Sequence, residues 1–226
     1  MQFTLKGQNF SFGGANNYYL AFSPKPQVDD VFDNANKAGI PVLRSWAFNV
    51  IGNPQGGSSW PPNVQDYVGD YFHYWDTNSQ SSKFNEGANG LERLDYMVKK
   101  AKDFGVKLLL VLTNNWGEYG GSEQMNLWYG LNYHDDFFTF DKTKMEYKKW
   151  VNYLLNRKNK FTGVAYKDEE AIFAWELINE IRCKGCIDIG ACSDCKACKA
   201  ANTQCTADKV TAWVAEMAKY VKSIDK

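Results

Sequence analysis

Histidine is nearly absent from this chain: 226 residues hold only His73 and His134. Two imidazoles are too few for a His-rich metal site or a convincing nucleophilic triad. Net charge is missing too, because 26 basic and 26 acidic side chains cancel. That removes the steering on which nucleic-acid and membrane-surface binders depend. Long apolar runs are lacking; Val106 to Leu112 falls far short of the roughly 20 residues that span a bilayer. The start, Met1-Gln2-Phe3-Thr4-Leu5, has no basic head and no apolar core of a secretory leader. It fits a cytosolic protein or one whose leader has been removed. There is no G-x-G-x-x-G turn either, since Gly13-Gly14-Ala15-Asn16 has the wrong spacing for a dinucleotide-binding sheet.

Aromatic residues, by contrast, make up 15% of the chain, with 8 Trp, 13 Tyr and 14 Phe. That exceeds what a core of this size requires. Surplus Trp and Tyr suit surfaces that stack on flat apolar faces such as those of sugar rings, while most Phe reads as core. One glycosylation sequon, Asn9-Phe10-Ser11, is present.

The elements alternate. Thr4 to Phe12 reads as a small hairpin, and Gly13 to Leu20 as a first strand. Val28 to Ala38 has helical spacing and stops at Gly39. Ile40 to Trp46 is a second strand, and a long loop is expected from Ala47 to Glu86. A helix over Leu91 to Phe104 leads to a third strand, Val106 to Leu112. A helix over Lys144 to Leu155 precedes a fourth strand, and Thr206 to Ile224 is the last helix. Serial βα units imply a parallel sheet covered by helices. Each strand ends in polar or aromatic residues: Asn17, Arg44 to Trp46, Asn115-Trp116 and Asn179-Glu180. Polar strand ends are where (β/α)8 barrels keep their chemistry.

The fourth strand is the most informative. Ile172 to Ile178 is apolar except for Glu176, and reads as a strand buried on both faces that runs into Asn179-Glu180. A carboxylic acid against such a core has the environment that general acids use. Read from the residues alone, Arg44 fits a structural ion pair better than a catalytic role. Trp46 and Trp116 fit core or loop packing. His134-Asp135-Asp136 reads as a solvated loop rather than a cation site, and Glu118 and Glu123 read as loop acids.

Five segments together resemble the endo-β-1,4-mannanases of glycoside hydrolase family 5, in their fungal, plant and animal branch. They are Asn16-Asn17-Tyr18-Tyr19-Leu20, Val42-Leu43-Arg44-Ser45-Trp46-Ala47-Phe48, Gly90-Leu91-Glu92-Arg93-Leu94-Asp95, Asn114-Asn115-Trp116-Gly117-Glu118-Tyr119-Gly120-Gly121 and Phe173-Ala174-Trp175-Glu176-Leu177-Ile178-Asn179-Glu180. The resemblance implies a (β/α)8 TIM barrel of which residues 1–226 form the first four βα units. It implies Glu180 as acid/base, Asn179 as the residue that bonds the sugar 2-hydroxyl, and Arg44 as the cation that keeps the nucleophile ionised. Trp46 is implied as a substrate wall. Trp116, Asn115 and Tyr19 are further substrate-binding positions, and Arg182 reaches the leaving-group side. The family usually has Pro after the catalytic Glu, where this chain has Ile181. No cofactor and no metal are implied. The partners expected are β-mannan polysaccharides or oligosaccharides, with no nucleic acid and no membrane.

A full barrel needs roughly 250 residues. The family's nucleophile, a Glu on the seventh strand, is therefore expected beyond Lys226, and open sheet edges at the first and fourth strands would invite self-association. All six cysteines lie at Cys183, Cys186, Cys192, Cys195, Cys198 and Cys205, within a loop insertion over 183–205. Three disulfides are expected, with zinc as the second reading and fifteen pairings open. The resemblance implies a disulfide within the first C-x-x-C, Cys183 to Cys186. The reading is a secreted, retaining endo-acting β-mannan hydrolase or its N-terminal half. Three alternatives stay open: a family 5 hydrolase of another β-glycan, an inactive carbohydrate-binding barrel fragment, and a zinc-stabilised interaction module.

Overall fold

Two helix ends of the same design launch the two central strands. In the first, helix α1 (Lys25–Lys37) stops at Gly39, whose φ of +68° suits glycine. The Gly39 N–H donates to the Asn36 carbonyl and the Ile40 N–H to the Ala35 carbonyl, which closes the orphaned carbonyls of the last turn. Strand β4 (Val42–Trp46) follows at once. Helix α2 (Leu91–Phe104) repeats the arrangement through Gly105, also at +68°, and leads into β8 (Lys107–Val111). The computed structural model that shows this describes residues 3–5, 7–55, 67–183 and 205–226.

The main sheet has four parallel strands in the order β3-β4-β8-β9, with β3 at Gly14–Asn16 and β9 at Ile172–Glu176. Each strand is followed by helix: α1 after β3, α2 after β4, α5 (Asp141–Asn156) after β8, and α6 (Ala207–Ile224) after β9. These are four serial βα units of a barrel that does not close within this chain. The helices turn their apolar faces inward through Val28, Phe32 and Ala35, then Leu94, Met97 and Val98, then Trp150, Val151 and Leu154, then Trp213 and Met217. The N-terminal hairpin, β1 (Thr4–Leu5) with β2 (Gln8–Asn9), leads into Phe10 and Phe12, which pack with Phe3 around Phe173 of β9.

Three expectations need correction. The segment from Ala47 to Glu86 is not one long loop. It contains a second sheet, β5 (Val50–Ile51), β6 (His73–Asp76) and β7 (Ser81–Phe84), which buries Phe72 and Trp75 in the core. Strands of two to four residues are too short to leave a period. Strand β9 is only half-buried along its length, and it is the outer strand of the sheet among the described residues. Its ladder ends at Glu176, and Asn179 joins through an isolated parallel bridge to Asn114. Two helices also stand where no element was expected, α3 (Gly121–Trp128) and α4 (Asp136–Thr139). Helix α3 buries Ser122, Glu123, Gln124 and Asn126, so it has no apolar stripe to read. Its polar side chains bond backbone instead: Gln124 donates to the Gly52 carbonyl, and Asn126 to those of Tyr133 and His134.

Candidate active site

The C-terminal ends of the four parallel strands carry one connected row of polar side chains. Arg44, in the middle of β4, forks onto Glu176 at the end of β9, with Nε to Oε2 and Nη2 to Oε1 both 2.7 Å. The same guanidinium donates to Asn16 Oδ1 at 3.0 Å and to Asn179 Oδ1 at 2.7 Å. Asn179 Nδ2 in turn donates to Asn114 Oδ1 at 2.9 Å. Charged pairs of this planar, two-pronged kind fix direction as well as charge. Glu176 was the one polar residue in an apolar run, and the sequence assigned it no task. Its task here is to orient Arg44.

Glu180 follows in the left-handed region, with φ +53°. A non-glycine residue there costs roughly 1–2 kcal/mol, and such strain is kept where the surroundings over-determine it. The surroundings do so. Asn115 N–H donates to the Asn179 carbonyl at 3.0 Å, and the Arg182 N–H donates to Asn115 Oδ1 at 3.2 Å, so one residue grips both sides of Glu180. The Glu180 carboxylate is exposed rather than set against the core. Its Oε2 accepts from Trp116 Nε1 at 2.8 Å and from Arg182 Nη2 at 3.1 Å. The Arg182 guanidinium lies 5.0 Å from the centre of the Trp116 ring, covering one face.

The remaining site residues divide. Asn115 is fully buried, so it supports the loop from below and offers no open surface to a sugar. Trp46 is 8% exposed and packs against Tyr18, Phe48 and Tyr119 at 4.8, 4.9 and 5.4 Å between ring centres. Tyr19 stands at 46% exposure, edge-on to Tyr18. Burial, aided by the neighbouring Tyr18 and Tyr67, raises the Tyr119 phenol above its usual value and keeps it a neutral donor. Glu123 stands on helix α3 rather than in a loop, and His134, in the loop before α4, is not solvated: both are buried, with Oε1 and Nδ1 2.5 Å apart. Asp135 is buried as well. No sequence pattern marks the three.

Cys183, three residues after Glu180, is disulfide-bonded to Cys205, with Cα atoms 5.6 Å apart. The expected Cys183–Cys186 bridge is therefore overturned, since a sulfur forms one such bond. Cys186, Cys192, Cys195 and Cys198 lie outside the described residues.

A sequence profile described as "GH family 5 beta-mannosidase-like" matches residues 2–226. The chain belongs to glycoside hydrolase family 5. It is 33% identical over 226 residues to mannan endo-1,4-beta-mannosidase F of Aspergillus clavatus, aligning along all of this chain and 43% of that protein. Among solved structures it is similar to the endo-1,4-beta-mannanase of Rhizomucor miehei, with a TM-score of 0.84 and 37% identity over 99% of this chain and 56% of that one. The hyperthermostable endo-1,4-beta-D-mannanase of Thermotoga petrophila gives 0.69 and 35%, over 96% of this chain and 53% of that one. The chain thus spans about half the length of the family 5 relatives it matches.

Proposed function

We propose that this chain supplies the acid/base half of a retaining endo-β-1,4-mannan hydrolase. The observation that carries the reading is the holding of Glu180 at the carboxyl end of the sheet. Both donors, Trp116 and Arg182, address Oε2, and Oε1 carries no hydrogen bond among the described residues. That oxygen is open to a glycosidic oxygen. Glu180 would protonate the departing sugar and then take a proton from the incoming water. Asn179 spends its Oδ1 on Arg44 and one Nδ2 hydrogen on Asn114, which leaves the second hydrogen for a sugar 2-hydroxyl. Arg44 fixes Asn179 and Glu176 together, and so presets the polar floor.

Retention needs a second carboxylate about 5 Å from the first. We place it in the part of the barrel that the longer relatives have in addition. Tyr19 and the uncovered face of Trp116 are the sugar-stacking surfaces. Trp46 acts from behind, through Tyr18. The chemistry calls for no cofactor. The Cys183–Cys205 bond suits an oxidising compartment and therefore secretion. Among the described residues no helix is long and apolar enough to cross a membrane. Among the described residues β3 and β9 are the outer strands of the sheet, and these are the places where a second copy could pair.

The test is reducing-sugar release from linear mannan, glucomannan and galactomannan by this chain joined to the C-terminal half of a family 5 relative, with Glu180→Gln alongside. Release that vanishes in the variant supports the assignment. Release that survives in Glu180→Gln would remove Glu180 from the chemistry, and preference for a β-glucan would replace the substrate class.

A further inference from the structure

The mechanism above leaves two buried polar groups without a task, Glu123 on α3 and His134 on the loop before α4; with Asn115 just past β8, all are essentially inaccessible. They form a chain. Glu123 Oε1 meets His134 Nδ1 at 2.5 Å, His134 Nε2 meets Asn115 Oδ1 at 3.2 Å, and Asn115 Oδ1 also receives the Arg182 N–H at 3.2 Å.

The last contact settles the protons. A backbone N–H can only donate, so the atom of Asn115 that faces Arg182 must be the acceptor oxygen. The same oxygen faces His134 Nε2, which must therefore carry a hydrogen. Nδ1 then shares one further proton with Glu123, as imidazolium–carboxylate or as imidazole–carboxylic acid. Either way the pair holds two protons and is neutral overall, as burial requires. The chain is unlike a packing accident, because it leaves Glu123 Oε2 and Asn115 Nδ2 buried with no hydrogen-bond partner among the described residues. Two unmet groups are tolerated where an arrangement is held for another reason.

We propose that Glu123 and His134 are positioning residues for the Glu180 loop. They set the Asn115 amide, and Asn115 holds the residues on either side of the left-handed Glu180. Loss of the relay frees the amide of Asn115 to rotate and the loop to leave its strained conformation. The carboxylate then no longer meets Trp116 and Arg182 in one place. The consequence for catalysis rests on Glu180 being the acid/base; the positioning itself does not.

Amide hydrogen exchange on the 15N-labelled full chain reads the positioning directly. His134→Leu and Glu123→Gln should each speed exchange at the Arg182 and Asn115 amides by roughly tenfold over any change at β4 amides, as for a local opening. His134→Gln keeps a donor toward Asn115 and should bring the rate back to within about threefold of wild type. Glu123→Gln is isosteric, so it carries the test if His134→Leu does not fold. Folded variants in which Arg182 and Asn115 exchange as in wild type would overturn the proposal, as would equal acceleration in β4. In mannan hydrolysis the same variants should lower kcat more than they raise KM. Absence of any sugar release by this chain joined to the C-terminal half of a family 5 relative would count against the hydrolase reading and leave the exchange result standing.

Discussion

Two arginine–carboxylate forks of nearly the same geometry do different work in this molecule. Arg44 grips Glu176 with two bonds of 2.7 Å, and Arg157 grips Asp95 with bonds of 2.9 and 2.8 Å. The side chains of the first pair are 26% and 30% exposed, those of the second 9% and 0%. Asp95 is saturated: the Tyr166 hydroxyl and the Lys160 N–H complete its acceptor sites at 2.6 and 3.2 Å. Burial alone would lower the Arg157 pKa, but the bonds to Asp95 and Glu86 outweigh it and hold the guanidinium charged. Burial first, then the Asp95 charge, pushes the Tyr166 phenol well up, so it stays a donor. This fork ties α2 to the segment after α5, and the remaining Nη1 donates to Glu86 and the Tyr153 hydroxyl within the protein. Around Arg44 the remaining donors go to Asn16 and Asn179 instead, at the strand ends. Fork geometry therefore does not tell function from structure; what the spare hydrogen bonds address does.

The largest effect should come from breaking the buried fork. Asp95→Ala leaves the buried Arg157 guanidinium with only the exposed Glu86 as an ion partner, and breaking a buried pair costs about 3–5 kcal/mol. Urea unfolding should report that loss, while the molecules that remain folded bind mannan oligosaccharides as before. Arg44→Met should do the reverse. Its stability loss should be only about 1 kcal/mol, since the pair is partly solvated. In the chain joined to the C-terminal half of a family 5 relative, sugar release should fall by roughly a hundredfold or more, because Asn179 and Glu176 lose their common anchor. Equal losses of stability in the two variants would erase the contrast.

A third pair sharpens the comparison by pH. Burial would raise the Glu146 pKa, yet bonds from His73, the Ser82 hydroxyl and the Tyr129 hydroxyl bring it down to about 2 from the usual 4.5. The folded pKa lies below the unfolded one, so this stabilisation is complete above about 4.5 and is lost as pH falls toward about 2. Burial also lowers the His73 pKa below 6.5, which adds acid sensitivity in the same direction. Glu146→Gln should flatten the decline of Tm between pH 4.5 and 2, a window read from those values. The smallest effect belongs to Lys37–Asp33, an exposed pair one helical turn apart on α1. Lys37→Ala should change stability by about 0.3–0.5 kcal/mol at low salt and less at high salt.

Some of this was readable in the residues and some was not. The span Leu91 to Phe104 could be read to its ends, because its apolar period and Gly105 are local signals. The helix from Lys25 starts three residues before its apolar stripe, since Pro26 suits a first turn that needs no N–H. Short strands such as Val50–Ile51 left no signal, and the polar, buried face of α3 left a misleading one. Asn115 was expected to be a substrate-binding position, but it is fully buried, and its Oδ1 accepts from the Arg182 N–H beside Glu180.

The sequence by itself determined the βα rhythm, the polar strand ends and the place of Asn179-Glu180 just past the fourth strand. These depend on residues within one or two turns of each other, where period and capping act. Only the tertiary structure decided that Arg44 meets Glu176 across 132 residues, that β9 is the outer strand among the described residues, that Glu123 and His134 are buried, and that Cys183 chooses Cys205. Such pairings depend on which surfaces the packed helices and strands bring together, and no local pattern encodes that.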